Sequence, residues 1–317
     1  MRLRCGFGIL LLALACSAAA GASTPRHVYL GLLGDPSRFA SITGQKTEVR
    51  HSFVNFRQGD ALGQIVSQLG PVPMLALVPG GYGRPATATP EGIAKGRHDL
   101  FLFRLNAVIA AYPGSLFYLR PFPEMDGHWE SNCAYNADGT LRPAYDSTAW
   151  SRKALARIAI IARGGTAAQI NTKLARLNLP RIGRDLPVTT PKLKLVWNPQ
   201  GFGSPDVPGN SANAYYPGNA YVDVVADDLY DIAGHGATWA AAQKLYDSHP
   251  TKAFGFGEWG LWGIDDPAFV RAMGSFARTH GRLVLLAYFN GKPGSVFDLH
   301  SKPGSAAAYR KVISTLG

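Results

Sequence analysis

The sequence predicts a (β/α)8 barrel, and three observations support this prediction. Eight short runs rich in apolar and β-branched residues occur along the chain, and segments with helical periodicity lie between several of them. The runs are almost continuously apolar, which is typical of strands buried on both faces of a parallel sheet. The chain has 317 residues, a length that such barrels commonly reach as one domain. A doubly wound sheet is the alternative that this alternation leaves open.

The predicted elements follow one another in a regular order. The candidate strands are 27–33, 49–56, 72–79, 115–121, 193–198, 221–227, 252–258 and 282–289. The apolar periodicity predicts helices over 98–112, 147–163, 237–248, 267–279 and 305–316. Asp266 before Pro267 predicts the start of one helix, because aspartate caps helix N-termini and proline is favoured at the first helical position.

Residues 164–191 interrupt this alternation. They contain a predicted short helix over 167–177, followed by Pro180 and Pro187. We therefore expect an insertion between the helix after the fourth strand and the fifth strand. A surface excursion outside the barrel is the favoured interpretation, and a lid over the functional site is the alternative.

Composition and charge exclude several classes of protein. The chain is 46% hydrophobic and 17% charged, which excludes an intrinsically disordered chain. The formal net charge is +11, and between residues 152 and 194 the many basic side chains are accompanied by a single acid, Asp185. A solvated helical surface is the favoured interpretation, and contact with an anionic polymer is the alternative. No zinc-finger or RNA-binding motif accompanies these charges, so no nucleic-acid partner is expected.

The first 22 residues have the pattern of a secretory signal peptide. Two arginines precede an apolar run over 9–15 that is too short to span a bilayer, and small residues follow it. We expect cleavage after Ala22, a mature domain over 23–317, and a secreted or periplasmic protein. Lipoprotein anchoring through Cys16 is a disfavoured alternative. Removal of the signal leaves one of the three cysteines, so no internal disulfide is expected.

Carboxylates and tryptophans gather at the predicted strand ends, where barrels place their reactive side chains. The fourth strand runs into Glu124, and the seventh ends in Gly257-Glu258. The tryptophans at or just past strand ends are Trp129, Trp197, Trp259 and Trp262. Glycoside hydrolysis requires two carboxyl groups that flank the scissile bond, and aromatic rings fit the apolar faces of sugars. The alternative, that each glutamate caps a loop or pairs with a surface arginine, is disfavoured by this combination.

These motifs resemble those of glycoside hydrolase family 26, whose members are (β/α)8 enzymes with glutamates on strands four and seven. The runs that carry the resemblance are 119–129, 196–199, 215–225, 257–258 and 288–290. The resemblance implies that Glu124 is the general acid/base and Glu258 the nucleophile of a retaining enzyme. Pro123 stands where the family has histidine and Asp126 where it has asparagine, which implies a different subsite beside the cleaved bond.

The resemblance also implies a set of substrate-binding residues. They are Arg120, His128, Trp129, Trp197, Tyr230, Trp259 and Trp262. We expect Tyr230 to hydrogen-bond Glu258 and Arg120 to hold a carboxylate in its ionised form. Ordinary core packing is the alternative for both residues and for Trp262.

The motifs and the resemblance together predict a secreted, retaining, endo-acting β-glycosidase. We expect neither a cofactor nor a metal, because the chain has no full dinucleotide fingerprint and no close histidine pair. Its expected partner is a polysaccharide or oligosaccharide, β-mannan or a related β-glycan, and we expect a monomer without an integral membrane segment after signal cleavage. A non-catalytic or exopolysaccharide-directed carbohydrate-binding barrel is the alternative. Cleavage of an acidic polymer is a third hypothesis, which the basic insertion suggests.

Overall fold

The computed structural model describes residues 27–80 and 86–317. The predicted signal peptide, residues 1–22, lies outside the described residues. Eight parallel strands pair in the order of the chain and close on themselves between the first and the eighth. The closed sheet confirms the (β/α)8 barrel and excludes the doubly wound alternative.

All eight predicted strands are present. They are β1 (Tyr29–Leu33), β2 (Val49–Asn55), β3 (Val72–Val78), β4 (Phe117–Pro121), β5 (Leu193–Trp197), β6 (Val224–Ile232), β7 (Ala253–Trp262) and β8 (Leu283–Phe289). Two strands extend beyond their predicted ends, because β6 and β7 continue their mutual pairing to Ile232 and Trp262. Residues 228–232 and 259–262, which follow the predicted strand ends, are therefore part of the sheet.

Helices lie between the strands. They are α1 (Pro36–Thr43), α2 (Leu62–Ser67), α3 (Pro90–Ala94), α4 (Asp99–Ala111), α5 (Thr148–Arg163), α6 (Ala167–Ala175), α7 (Trp239–Ser248), α8 (Pro267–Thr279) and α9 (Pro303–Val312). The expected cap of α8 is present, since Asp266 accepts a hydrogen bond from the backbone N–H of Ala268 at 2.7 Å. The periodicity missed α1, α2 and α3, which are all short.

Two hydrophobic clusters form the core because successive side chains of a strand point to opposite faces. The larger cluster fills the space between the barrel and the helices. The smaller cluster fills the barrel interior and comprises Val49, Val72, Met74, Tyr118, Val196, Val224, Ala226, Leu285 and Ala287. Towards the carboxyl ends of the strands polar side chains replace these apolar ones, as on β4, where Arg120 follows Tyr118 by two residues.

The insertion over residues 164–191 is a surface excursion, as expected, and contains no barrel strand. It joins the end of α5 to the start of β5, so both of its ends lie at the end of the barrel opposite to the carboxyl ends of the strands. Its helix α6 begins with a capping box formed by Thr166 and Gln169. This position does not suit a lid over a site at the carboxyl ends. Within the described ranges no helix has both the length and the apolar character needed to cross a membrane.

Candidate active site

The loop after β4 places Glu124 in an unusual backbone conformation. Phe122 and Glu124 have φ angles of 54° and 52°, in the left-handed region that non-glycine residues rarely adopt. Each such residue costs about 1–3 kcal/mol, so the surrounding contacts must hold it. The backbone N–H of Glu124 donates to the carbonyl oxygen of Asn198 at 2.8 Å, which ties this loop to the end of β5. Residues held in this way are concentrated at functional sites.

Two side chains donate hydrogen bonds to the Glu124 carboxyl group. The Trp129 Nε1 donates to Oε2 at 2.5 Å, and the Gln200 Nε2 donates to Oε1. The Trp129 ring reaches back because Gly127 has no side chain, since a Cβ there would lie 2.4 Å from the indole. Burial and the nearby charge of Glu258 raise the pKa of Glu124 to about 8. Glu124 is therefore protonated at neutral pH and has a proton to donate.

Glu258 lies on β7 with 7% of its surface exposed. The Arg120 Nη1 donates to its Oε1 at 2.6 Å, and the Tyr230 hydroxyl donates to its Oε2 at 2.7 Å. The hydrogen bond expected from Tyr230 is thus present. Donors on both oxygens, one of them a cation, suit a carboxylate that acts as a nucleophile.

A β-bulge turns Glu258 into the barrel. Asp227 on β6 pairs with Phe256 and Asp228 pairs with Glu258, so Gly257 is an extra residue in β7. Strict alternation from Phe256, which packs between barrel and helices, would place Glu258 on that outer face too. The extra residue shifts the alternation by one and brings Glu258 to the inside.

Arg120 contacts Glu258 directly and is linked to the loop of Glu124 through Asn198. It is fully buried, and its Nε donates to the Asn198 Oδ1 at 2.8 Å while its Nη2 donates to Asp228. Asn198 therefore contacts the Glu124 backbone through its carbonyl and Arg120 through its side chain. A Cβ at Gly257 would lie 2.0 Å from the Asn198 Oδ1, so only glycine fits beside this pair. The expectation that Arg120 binds substrate directly is wrong, because its side chain is fully buried among Asn198, Glu258 and Asp228, whereas the expected contact with a carboxylate is present.

The cleft between the glutamates is acidic. Glu130 is partly buried near it, and burial together with the charge of Glu258 raises the pKa of Glu130 to about 7. Asp228 is buried beside Arg120. The three donating groups of Arg120 are all used by protein side chains. The site therefore offers many more acceptors than cations to a bound molecule.

The predicted substrate-binding residues have different environments. Trp129 and His128 are half-buried beside Glu124, with ring centroids 5.2 Å apart. Trp262 at the end of β7 is 44% exposed, and its ring lies 6.1 Å from that of Tyr230. Tyr230 lies between Trp262 and Glu258, because its hydroxyl donates to Glu258 and its ring contacts that of Trp262. Trp262 therefore remains a candidate for stacking on a sugar ring of the substrate.

The expectation for Trp197 and Trp259 is wrong. Trp197 is 2% exposed and packs against Tyr216 and His249, with centroids 4.8 and 5.2 Å away. Trp259 is fully buried and stacks on Tyr309 of α9 at 5.5 Å. Both rings belong to the cluster between barrel and helices, where no sugar reaches them.

Sequence reasoning missed several side chains of the site. Asn198 and Gln200 contact Arg120 and Glu124, and both directly follow β5. Asn198 and Gln200 could have been predicted from the sequence, because reactive groups in such barrels lie at the carboxyl ends of strands and both residues follow β5. Phe53 on β2 is 39% exposed, and its position two residues before the end of the strand makes it a further candidate for the rim of the cleft. No group of three or more potential metal ligands occurs in the part of the chain that the structure describes.

Comparisons with known proteins agree with this fold. No protein-family model matches the chain, and no curated protein matches it. Solved structures do match. The catalytic domain of a family 26 endo-β-1,4-mannanase from Bacillus sp. JAMB-750 is 13% identical, with 90% of this chain and 85% of that chain covered and a TM-score of 0.57.

Two further structures are similar to the chain at 14% identity. One is a double mutant of the Cellulomonas fimi endo-β-1,4-mannanase, with 92% of this chain and 74% of that chain covered and a TM-score of 0.56. The other is a β-mannanase from a symbiotic protist of the termite Reticulitermes speratus, complexed with gluco-manno-oligosaccharide, with 91% and 87% covered and a TM-score of 0.53. At these identities the likeness shows a shared fold.

Proposed function

We propose that this protein is a retaining endo-β-glycosidase that is exported and hydrolyses a β-linked polysaccharide, β-mannan or a related β-glycan. The observation that carries the proposal is the pair of glutamates in unlike environments. Glu124 has a pKa raised to about 8, whereas both oxygens of Glu258 accept hydrogen bonds from Arg120 and Tyr230. Two carboxyl groups whose environments differ in this way fit an acid and a nucleophile. The Bacillus and Cellulomonas proteins that share this fold are endo-β-1,4-mannanases.

The first step forms a glycosyl-enzyme. The Glu258 carboxylate attacks the anomeric carbon while the Glu124 carboxyl donates its proton to the glycosidic oxygen, and the C–O bond to the leaving sugar breaks. Arg120 and Tyr230 hold the attacking group in place. In this step Glu124 becomes a carboxylate, and the negative charge of Glu258 is consumed in the new ester bond.

The second step releases the sugar. The Glu124 carboxylate takes a proton from a water molecule, whose oxygen attacks the anomeric carbon and expels the Glu258 carboxylate. Two inversions retain the configuration. Trp129 and Gln200 donate to the Glu124 oxygens and stabilise the charge that Glu124 carries between the two steps. A retaining mechanism requires the two carboxyl groups to lie about 5–5.5 Å apart.

The charges of the cleft favour a neutral sugar at the cleavage point. A sugar carboxylate there would face the charge of Glu258 and the partly ionised Glu130, and the cation of Arg120 is enclosed and already paired. Repulsion between like charges is strong where water is excluded. We therefore disfavour cleavage next to a uronic acid.

The test is hydrolysis of β-mannan, β-1,3-xylan and mixed-linkage β-glucan by the wild type and by Glu258→Gln. We expect the wild type to release oligosaccharides from at least one of them with retained anomeric configuration, as followed by NMR, and Glu258→Gln to release none. Glu91→Gln is the matched control, because Glu91 pairs with Lys95 on the surface of α3. Binding of these polymers without cleavage by the wild type would instead support the carbohydrate-binding barrel, and inverted products would refute the retaining mechanism.

A further inference from the structure

Four cations of the insertion have no acidic partner among the residues that the structure describes. Lys173 and Arg176 lie on and directly after α6, and Arg181 and Arg184 lie in the loop that follows; all four side chains are exposed. We call these four residues the basic insertion face. The one acid of the insertion, Asp185, accepts a hydrogen bond from the Ala167 backbone at 2.7 Å, which caps α6.

Other basic residues of the same stretch have structural roles. Arg157 is buried and pairs with Asp99, while Arg163 pairs with Asp223. Lys192 donates to backbone carbonyls at the end of α4, at 3.1 Å for Ala110. Arg157, Arg163 and Lys192 therefore stabilise the fold, whereas the four side chains of the basic insertion face are exposed and pair with no acid among the described residues.

The insertion that carries these cations is held firmly on the barrel. Arg157 donates to the Pro180 carbonyl at 2.8 Å, and the Asn106 side chain donates to that of Pro187 at 2.9 Å. Asn171 exchanges two hydrogen bonds with the backbone of Ile182, at 2.9 and 2.8 Å. A surface fixed in this way loses little conformational entropy when it binds a partner.

We infer that the basic insertion face is a docking surface for an anionic polysaccharide. Lys173 and Arg176 are one turn apart at the end of α6, and hydrogen bonds of Asn171 with Ile182 and of Ala167 with Asp185 hold the loop of Arg181 and Arg184 beside the same helix. Four exposed cations gathered in this way suit the repeated charges of a linear polyanion. A lipid surface is disfavoured because Val188 is the one large hydrophobic side chain among residues 164–191 that is strongly exposed.

The position of the face separates docking from catalysis. The insertion starts and ends at the amino-terminal end of the barrel, whereas the acidic cleft lies at the carboxyl ends of the strands. A polymer bound at the face leaves the cleft open, so the protein is retained in an anionic matrix while the cleft accepts a neutral chain. This inference does not depend on the catalytic assignment, because it concerns binding alone.

The test compares the full chain with a variant that carries Lys173→Gln, Arg176→Gln, Arg181→Gln and Arg184→Gln. A control variant removes the same charge elsewhere, through exposed Lys46→Gln, Lys244→Gln, Arg271→Gln and Lys311→Gln. Affinity for sodium polygalacturonate is measured by affinity electrophoresis, with neutral galactomannan and vesicles of phosphatidylcholine and phosphatidylglycerol in parallel. Circular dichroism and Tm confirm that both variants fold.

We expect the wild type to bind polygalacturonate at about 50 mM NaCl and to release it at about 0.5 M, where screening is strong. Loss of the basic insertion face should weaken binding at least about tenfold, since these four cations supply the charge that attracts the polyanion. The control variant should lose much less. Equal losses in both variants, no binding by the wild type, or stronger binding to the anionic vesicles would each overturn the inference.

Discussion

Replacing Trp129 by phenylalanine removes the indole N–H that donates to Glu124 at 2.5 Å and keeps an aromatic ring. This hydrogen bond lowers the pKa of Glu124, which burial and the charge of Glu258 raise to about 8. A hydrogen bond to a charged group contributes about 1.5–3 kcal/mol, and about 1.36 kcal/mol corresponds to one pKa unit. Because Gln200 remains as a donor and the carboxyl group is partly exposed, we expect the pKa to rise by about one unit, at the lower end of that range.

The assay is the pH dependence of kcat/KM on the polysaccharide that the wild type hydrolyses, since this profile reports the free enzyme. The acid must be protonated, so activity falls as the pH rises through the pKa of Glu124. We expect the alkaline limb near pH 8 in the wild type and about one unit higher in Trp129→Phe. Trp150→Phe is the control, because that ring lies on α5 beside Lys95 and Lys153. A limb that stays in place or moves to lower pH in Trp129→Phe would refute the reasoning.

Glu258→Ala should abolish hydrolysis of all substrates, whereas Glu124→Ala should still form the glycosyl-enzyme from an aryl glycoside with an acidic leaving group, and azide should replace the missing base. Azide rescue of Glu258→Ala with retained configuration, and none of Glu124→Ala, would mean that the two roles are reversed. Gly257→Ala places a Cβ 2.0 Å from the Asn198 Oδ1, so we expect a loss of about 1–3 kcal/mol in the free energy of unfolding and a lower kcat. Gly63→Ala on α2 meets open space and should be neutral or stabilising in urea unfolding; equal effects of the two substitutions would contradict the packing argument.

The sequence by itself determined the fold and the two glutamates of the candidate site. Apolar runs and helical periodicity can be recognised from residues that are close together in the sequence. The runs predicted all eight strands of the barrel, and the helical segments between them indicated a parallel sheet. The rule that barrels place reactive groups at strand ends then selected Glu124 and Glu258. The cap of α8 at Asp266 was likewise predicted, because its signal lies within a few residues of chain.

Tertiary structure decided which way side chains at the strand ends point. Trp197 shares its face of β5 with Leu193 and Leu195, and this face packs against the helices. In β7 the extra residue Gly257 shifts the alternation, so that Glu258 faces the cleft and Trp259 faces the helices. Side chains of a strand alternate with a period of two, so a shift of one residue reverses every assignment beyond it. Only pairing with the neighbouring strands reveals such a shift, because it depends on residues that are distant in the chain.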